Sequence, residues 1–428
     1  MRNIDLHGRN FILSISGGNI LTSLGGTEKV IVSHQKMFNE NNIAYVYLYP
    51  VQKKIGKYYL YRYWGAVYDG KFMGLYTTDE IISSLNNNEN KRCCIHKIHI
   101  HHLRGIKLTE LSEILDFYGG TEIFFYLHDY YVICDNYALV RNGEAFCGIG
   151  KPCASKCAHC TYWALHRNSE ERRAYIGRYL PRITFIAPSD YPREVVGKSV
   201  PEFSEKIKVI YHQKQVGQYT ENKNLITPQD TVKVAFCGLP IPVKGWQEWI
   251  AVSKALHDKK VNIELYHLGK AGTGNTYCTN IPVGFQDANV TMTEALRKNR
   301  INSVVLWSQF PETYSYVYYE CLAANCFVIT YKNSGNIAMQ VLKNKTGIVL
   351  NSRAELEQLL THPKQLAEKI NDFYNSDKCG PESLVENDEI VKLSAAGKSV
   401  LACKNTKVGG NFAERIVETA YKRHLKIK

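Results

Sequence analysis

The sequence is informative first for what it does without. No run of about 18 apolar residues occurs in its 428 residues, so no segment is expected to span a membrane as a helix. The opening stretch MRNIDLHGRNFILSISGG carries an apolar run too short, and too soon broken by Gly17-Gly18, for a signal peptide, and the chain reads as cytoplasmic. The sequence signatures of DNA- and RNA-binding modules are missing, so no nucleic acid partner is expected despite a net charge of +13. Repeats of solenoid period are not evident. A secreted disulfide framework does not fit either, because the thirteen cysteines are odd in number and mostly scattered.

What is present fits a soluble globular protein. The length suggests about two to three domains with ample chain for a large core. Hydrophobic and charged fractions of 45% and 22% are ordinary. The positive charge is spread rather than blocked, which suits a phosphate-rich substrate or an anionic membrane surface. Lys53 to Trp64, KKIGKYYLYRYW, and the tail Tyr421 to Lys428, YKRHLKIK, interleave bases with aromatics as lipid headgroups favour, making peripheral binding on the inner face of the cell membrane an expectation. An aromatic strand of a sheet and a solvated C-terminal helix explain the same residues.

Strand and helix patterns alternate along the chain. Asn10 to Ser16 reads as a strand, and Leu24-Gly25-Gly26-Thr27-Glu28 turns it into a helix whose apolar stripe includes Val30, Ile31 and Met37. This is the first step of a doubly wound α/β domain, with glycines that let backbone approach phosphate closely. Ile95 to His102 is a strand whose end carries His99, His101 and His102; Glu122 to Asp129 is the next, ending in His128-Asp129. Ligands collect at the carboxyl ends of such strands. Thr184 to Ser189 closes the first domain, 1–212, and polar Gln213 to Asp230 is the expected hinge. A second domain, 231–410, repeats the pattern with the strand TVKVAFCG, the loop LPIPVKGW and a helix over Gln247 to Leu256. The strand Ile263 to Gly269, a turn over Ala271 to Thr276, Gly284-Phe285 and a helix over Thr293 to Lys298 follow. A last helix, Asn411 to His424, is expected to cross back to the first domain. Two facing domains offer a cleft for a ligand held by both.

The most informative stretch is Val304 to Val341. A strand over Val304 to Trp307, a turn through Ser308 to Glu312, a helix over Tyr316 to Ala324 and a strand over Cys326 to Thr330 make a βαβ unit. If most of the interval from Glu312 to Glu320 is helical, the two carboxylates lie roughly 12 Å apart along the axis, about the length of a nucleotide-sugar. The helix N-terminus between them suits a diphosphate. A capped surface helix with two unrelated glutamates is the plainer alternative.

Cys147, Cys153, Cys157 and Cys160 follow a C-x5-C-x3-C-x2-C spacing, close enough to surround one tetrahedral zinc. Such a saturated ion is structural, and no catalytic metal is expected. Four reduced thiols in a loop is one alternative. A radical S-adenosylmethionine enzyme is another, since Cys153, Cys157 and Cys160 also match a triplet that holds a four-iron cluster. Against it stand the mid-chain position, His159 before the last cysteine, and the extra ligand Cys147.

Ser308, the run Pro311-Glu312-Thr313-Tyr314-Ser315-Tyr316, Glu320 completing E-x7-E, Ala323-Ala324 and Ser334-Gly335-Asn336 together resemble glycosyltransferase family 4. The resemblance implies the GT-B fold, two facing Rossmann-like domains, and retaining transfer of a hexose-type sugar from a nucleotide diphosphate sugar donor to a hydroxyl acceptor. It implies that Glu312 touches the donor sugar, that amides of Tyr314, Ser315, Tyr316 and Val317 bind sugar and phosphate, and that Glu320 binds ribose. Lys244-Gly245 matches the motif whose lysine neutralises the diphosphate, and Gly25-Gly26 the loop facing the donor phosphates. His128-Asp129 followed by cysteines is similar to a subset of the family in which the strand-end histidine lies beside the transferred sugar; His101 is the second acceptor-side candidate. The sequence departs from the family pattern at Ser315 and Asn325, both usually glycine, at Leu239, usually arginine, and in lacking the Asn-Gly of the linker. A lipid-linked or glycan acceptor in bacterial cell-surface polysaccharide or glycolipid synthesis follows from the resemblance. The absent arginine keeps a non-catalytic nucleotide-sugar-binding protein of the same fold as a rival.

Overall fold

The computed structural model describes residues 4–23, 25–52, 54–55, 58–89, 93–217, 225–270, 275–284, 290–376, 380–396, 421–422 and 425. The first domain is built on an eight-stranded sheet. Its strands are β1 (Phe11–Ile15), β2 (Ala44–Pro50), β3 (Trp64–Tyr68), β4 (Lys71–Tyr76), β5 (Ile95–Ile100), β6 (Ile123–Tyr126), β7 (Ile183–Ala187) and β8 (Ile207–Val209). They lie in the order β8-β7-β6-β5-β1-β2-β3-β4, with all neighbours parallel except the β3–β4 hairpin added antiparallel beside β2.

The parallel strands are buried on both faces, which is why they read as near-continuous apolar runs. Successive residues feed opposite cores: Leu13, Val46, Ile98, Phe125 and Phe185 face one side. Ile12, Tyr45, Phe124, Tyr126 and Ile186 face the other, together with Ile31 and Phe38 of the helix α1 (Gly26–Glu40). That second face is rich in tyrosine and histidine, and it lies directly under the cleft.

The second domain has six parallel strands: β9 (Lys233–Cys237), β10 (Glu264–Gly269), β11 (Thr279–Pro282), β12 (Ser303–Leu306), β13 (Phe327–Tyr331) and β14 (Gly347–Leu350). Their order is β11-β10-β9-β12-β13-β14. In chain order this is 3-2-1-4-5-6, the doubly wound arrangement whose ligand crevice opens where the order reverses, between β9 and β12. The loop bearing Lys244 leaves β9 there, and the loop bearing Ser308 and Glu312 leaves β12. In the first sheet the order reverses beside β1, and His101 lies just past the end of its neighbour β5.

The expected hinge is only partly irregular. Gln213–Val216 is a strand paired antiparallel with Ser383–Glu386, 170 residues on, so nothing local in the sequence signals it. The chain then returns to the first domain through a helix at Glu389–Ala395. Its Ile390 and Val391 enter the tyrosine-rich core, its Ser394 Oγ lies 3.1 Å from His99 Nε2, and Lys97 Nζ donates to the Ala396 carbonyl at 3.0 Å. Of the expected last helix, Tyr421 and Lys422 are described; Tyr421 is buried and its ring meets Phe72 at 5.7 Å. The rest of 411–424 lies outside the described residues, as do 271–274 and 285. Leu60, Tyr63 and Trp64 of the aromatic-basic stretch are buried in the core, while Tyr61 is exposed. Among the described residues no helix is long and apolar enough to cross a membrane.

The glycine departures at Ser315 and Asn325 have a backbone consequence. Both residues carry positive φ, 72° and 57°. Asn325 sits just past the C-cap of the helix α2 (Tyr316–Ala323), where asparagine is the usual substitute for glycine in the left-handed turn. Ser315 is the N-cap of α2 and carries about 1–2 kcal/mol of left-handed strain. Ser315→Gly is therefore expected to leave stability unchanged or raise it by up to about 1 kcal/mol, and Ser315→Val to lower it by more than about 1 kcal/mol, as read by chemical denaturation.

Candidate active site

The loop from Ser308 to Ser315 is held in place by the turn that follows β13. Ser334 Oγ donates to the Ser308 carbonyl at 2.8 Å, the Asn336 amide to the Glu312 carbonyl at 2.8 Å, and Asn336 Nδ2 to the Tyr314 carbonyl at 2.7 Å. Gly335, at φ 64°, lies so close that a Cβ there would sit 2.4 Å from the Glu312 backbone nitrogen. Asn336 begins the helix α3 (Asn336–Asn344), so this brace is anchored in regular structure. Ser308 is buried, with its hydroxyl turned to the Phe310 carbonyl at 3.1 Å.

The braced loop presents Glu312, whose side chain is 10% exposed, in an ion pair with Lys244. Lys244 ends a short turn, Pro242–Lys244, and Gly245 follows at φ 85°, packed so that a Cβ would lie 2.3 Å from the Trp307 carbonyl. Only glycine fits there, which is how the Lys-Gly pair seats the lysine against the end of β12. Lys244 Nζ also lies 4.5 Å from the Phe310 ring centre.

Thr313, next to Glu312, clasps the first domain. Its hydroxyl donates to the His128 carbonyl at 2.7 Å, and its own carbonyl accepts from Ser189 Oγ at 2.6 Å. His212, on the connection between domains, lies among His128, Tyr314 and Tyr316, with ring centres 5.7, 4.7 and 5.6 Å away. Farther along α2, Lys29 of α1 reaches across to Glu320 at 3.3 Å and over the Tyr316 ring at 4.0 Å. Val317 is half-buried on the first turn of α2. Gly25 and Gly26 are exposed at the start of α1, where the Gly25 amide donates to Glu28 Oε2 at 2.9 Å. The interval between Glu312 and Glu320 is helical only from Tyr316, so the two carboxylates are set by a loop and half a helix rather than by helical rise alone.

On the acceptor side, the His128 ring stacks on His101 with an interplanar angle of 7°, and their facing nitrogens, Nε2 and Nδ1, are 2.9 Å apart. Burial pushes the His128 imidazole down to about 4, against the nearby Asp129 carboxylate, so it is neutral near pH 7. His101 is fully buried beneath it. Asp129 turns away to His102, whose Nε2 lies 2.7 Å from the carboxylate while its Nδ1 accepts the Arg104 amide. Burial alone would raise the Asp129 carboxyl; His102 and the Tyr131 amide outweigh it and hold the group low.

No three of the sulfurs of Cys147, Cys153, Cys157 and Cys160 lie within 4.8 Å of one another. Cys153 is exposed and lies 3.4 Å from Ser155 Oγ. The Cys147 thiol is pushed up to about 11 by burial and by its neighbours Cys160, Cys134 and Cys157. Cys134, likewise raised by burial, counts Cys160 and Cys157 among its neighbours. All the described cysteines are free of disulfides.

Leu239 is 53% exposed, and Arg297 caps α2 by donating to the Ala323 carbonyl at 2.6 Å. Thr313, Ser189 and His212 carried no sequence signal, because each acts through a contact made across the domain junction.

No protein-family model matches the sequence, and no curated protein matches it significantly. Solved structures do. A glycosyltransferase from Rickettsia africae ESF-5 superposes on 98% of this chain and 100% of its own with a TM-score of 0.54 at 11% identity. TarM matches with a TM-score of 0.51 at 8% identity, covering 87% of this chain and 95% of its own. Sucrose-phosphate synthase from Thermosynechococcus elongatus matches with a TM-score of 0.50 at 13% identity, covering 90% and 97%. The chain has the GT-B fold. At these identities the likeness carries the architecture and leaves substrate open.

Gly335→Ala, which adds a Cβ at positive φ against the Glu312 backbone, is expected to cost about 2–4 kcal/mol of stability, read by thermal or urea unfolding. Thr313→Val, which strips the His128 carbonyl of its donor, should cost about 1–3 kcal/mol in the same assay.

Proposed function

We propose that the chain is a retaining glycosyltransferase that moves a hexose-type sugar from a nucleotide diphosphate donor to a hydroxyl acceptor. The observation that carries this reading is the Lys244–Glu312 pair, held at the switch point of the second sheet and clasped through Thr313 to the backbone of His128 on the first. In a GT-B fold this is where a donor held by one domain meets an acceptor held by the other.

Each group has a task. With the donor bound, Glu312 accepts hydrogen bonds from sugar hydroxyls and so orients the ring, while Lys244 is released to the diphosphate. Amides of Tyr316 and Val317 at the start of α2, with those of Gly25-Gly26, add fixed positive potential where the leaving group gathers charge. Glu320 exchanges Lys29 for ribose hydroxyls. His128, neutral at its depth, offers a hydrogen bond to the sugar or acceptor rather than a charge, with Asp129 and His102 shaping the strand end. The leaving phosphate oxygen takes the acceptor proton, so no separate base is required.

The proposal extends to a lipid-linked or glycan acceptor in cell-surface polysaccharide or glycolipid synthesis, and to a cytoplasmic enzyme resting on the anionic inner face of a membrane. The +13 charge supports the latter. A structural zinc on Cys147, Cys153, Cys157 and Cys160 belongs to the same proposal; four thiolates would staple the loop beside the acceptor site. One observation favours a second reading, a nucleotide-sugar-binding protein without turnover: exposed Leu239 supplies no guanidinium for the leaving diphosphate.

Turnover across a panel of nucleotide-sugars separates the two. The transferase reading expects product with the donor's anomeric configuration, and a loss of at least about 100-fold in kcat for Lys244→Ala and for Glu312→Gln with the fold intact. Normal rates in both variants, or nucleotide binding with no turnover on any donor, would defeat it.

A further inference from the structure

The core beneath the cleft holds a cluster that the transfer reaction does not use. His34 comes from the buried face of α1, and His99 and His101, two residues apart on one face of the β5 segment, point toward it. One potential ligand nitrogen from each lies within 4.8 Å of the others, the one such trio of His, Cys, Asp or Glu among the described residues. All three are fully or nearly fully buried, walled in by Phe38, Tyr45, Phe124 and Tyr126.

Two further observations point to a ligand here. His34 Nδ1 is buried with no hydrogen-bond partner, which leaves a lone pair or an N–H unsatisfied at real cost. A small cavity adjoins the same ring, with Tyr126, Tyr211, His212 and Asn387 among its lining residues. Burial also pushes all three imidazoles down, so near neutral pH each is uncharged with a free electron pair, the form in which histidine binds metal.

We propose that His34, His99 and His101 bind one divalent first-row transition ion of the zinc class, with a water or hydroxide as fourth ligand on the cavity side. Imidazole-only sites suit that class of ion, and three histidines plus one solvent position is an established zinc geometry. Nitrogens around a tetrahedral zinc lie about 3.4 Å apart, so from separations of up to 4.8 Å the trio has to contract by up to about 1.4 Å. Both ring nitrogens of His99 and of His101 have partners: Ser394 Oγ and the Tyr126 hydroxyl at His99, and the Tyr45 hydroxyl and His128 Nε2 at His101, each 2.9 to 3.1 Å away. One hydroxyl contact on each ring gives way to the ion while the other contact remains. The ion would pin α1 to β5 and, through His101, fix the tautomer of His128.

The test uses the full-length protein, stripped with a chelator and titrated with Co²⁺. We expect one equivalent to give visible ligand-field bands of nitrogen type; in Cys157→Ser, which disrupts the thiolate site of the proposed function, these bands remain without thiolate-to-cobalt charge transfer in the near ultraviolet, and in His34→Gln they weaken at least about 100-fold. Only thiolate-type bands in every variant, no cobalt uptake, or nitrogen-type bands unchanged in His34→Gln would overturn the assignment. Should His34→Gln fail to fold, the spectrum of the unsubstituted chain decides alone: nitrogen-type bands support the site, and only sulfur-type bands or none refute it.

Discussion

The structure depends on keeping one carboxylate, Glu312, in a fixed place while it is largely withdrawn from water. An unpaired buried carboxylate is costly, and its pairing with Lys244 removes that cost only while both partners are held in register. Two rigid devices do this. Gly245 lets the lysine loop lie against the end of β12, and the Ser334-Gly335-Asn336 turn ties the glutamate loop to α3. The adjacent Thr313 then couples this fixed point to the first domain, so that the geometry of one sheet is transmitted to the strand end of the other.

The ligand-free cleft is electrostatically self-satisfied. Lys244 is taken by Glu312, Lys29 by Glu320, and the Gly25 amide by Glu28. Each of these internal pairs joins a group suited to phosphate with a group suited to hydroxyls. A nucleotide-sugar carries both kinds of group, and in the proposed reaction it replaces each internal pair with two of its own contacts. The exchange keeps each of these groups hydrogen-bonded, which limits the desolvation cost of binding.

Much of this was legible in the sequence because it is local. The apolar strands, the glycine turn before α1, the βαβ stretch and the Lys-Gly pair are all written within a few residues, and the fold follows from their alternation. Even the departures from the family pattern were readable as positions: Ser315 and Asn325 stand where glycine is usual, and both take the left-handed backbone that glycine would. What escaped is non-local. The strand at Gln213–Val216 finds its partner 170 residues on, and Thr313 and His212 gain roles only across the domain junction. The histidine trio is of the same kind, since His34 lies on a helix 65 residues before His99 and looks like any half-polar helical position until the sheet covers it.

The measurement that bears most directly on the account is calorimetric titration of the full-length protein with a set of nucleoside diphosphates. The account predicts that one of them binds, with affinity that falls as salt rises, and that it raises the melting temperature by an amount consistent with that affinity, about 2.7 kcal/mol of stabilisation at a hundredfold excess over Kd. No heat and no thermal shift with any nucleoside diphosphate would contradict it, and the Lys244–Glu312 pair would then be a structural ion pair at a domain junction.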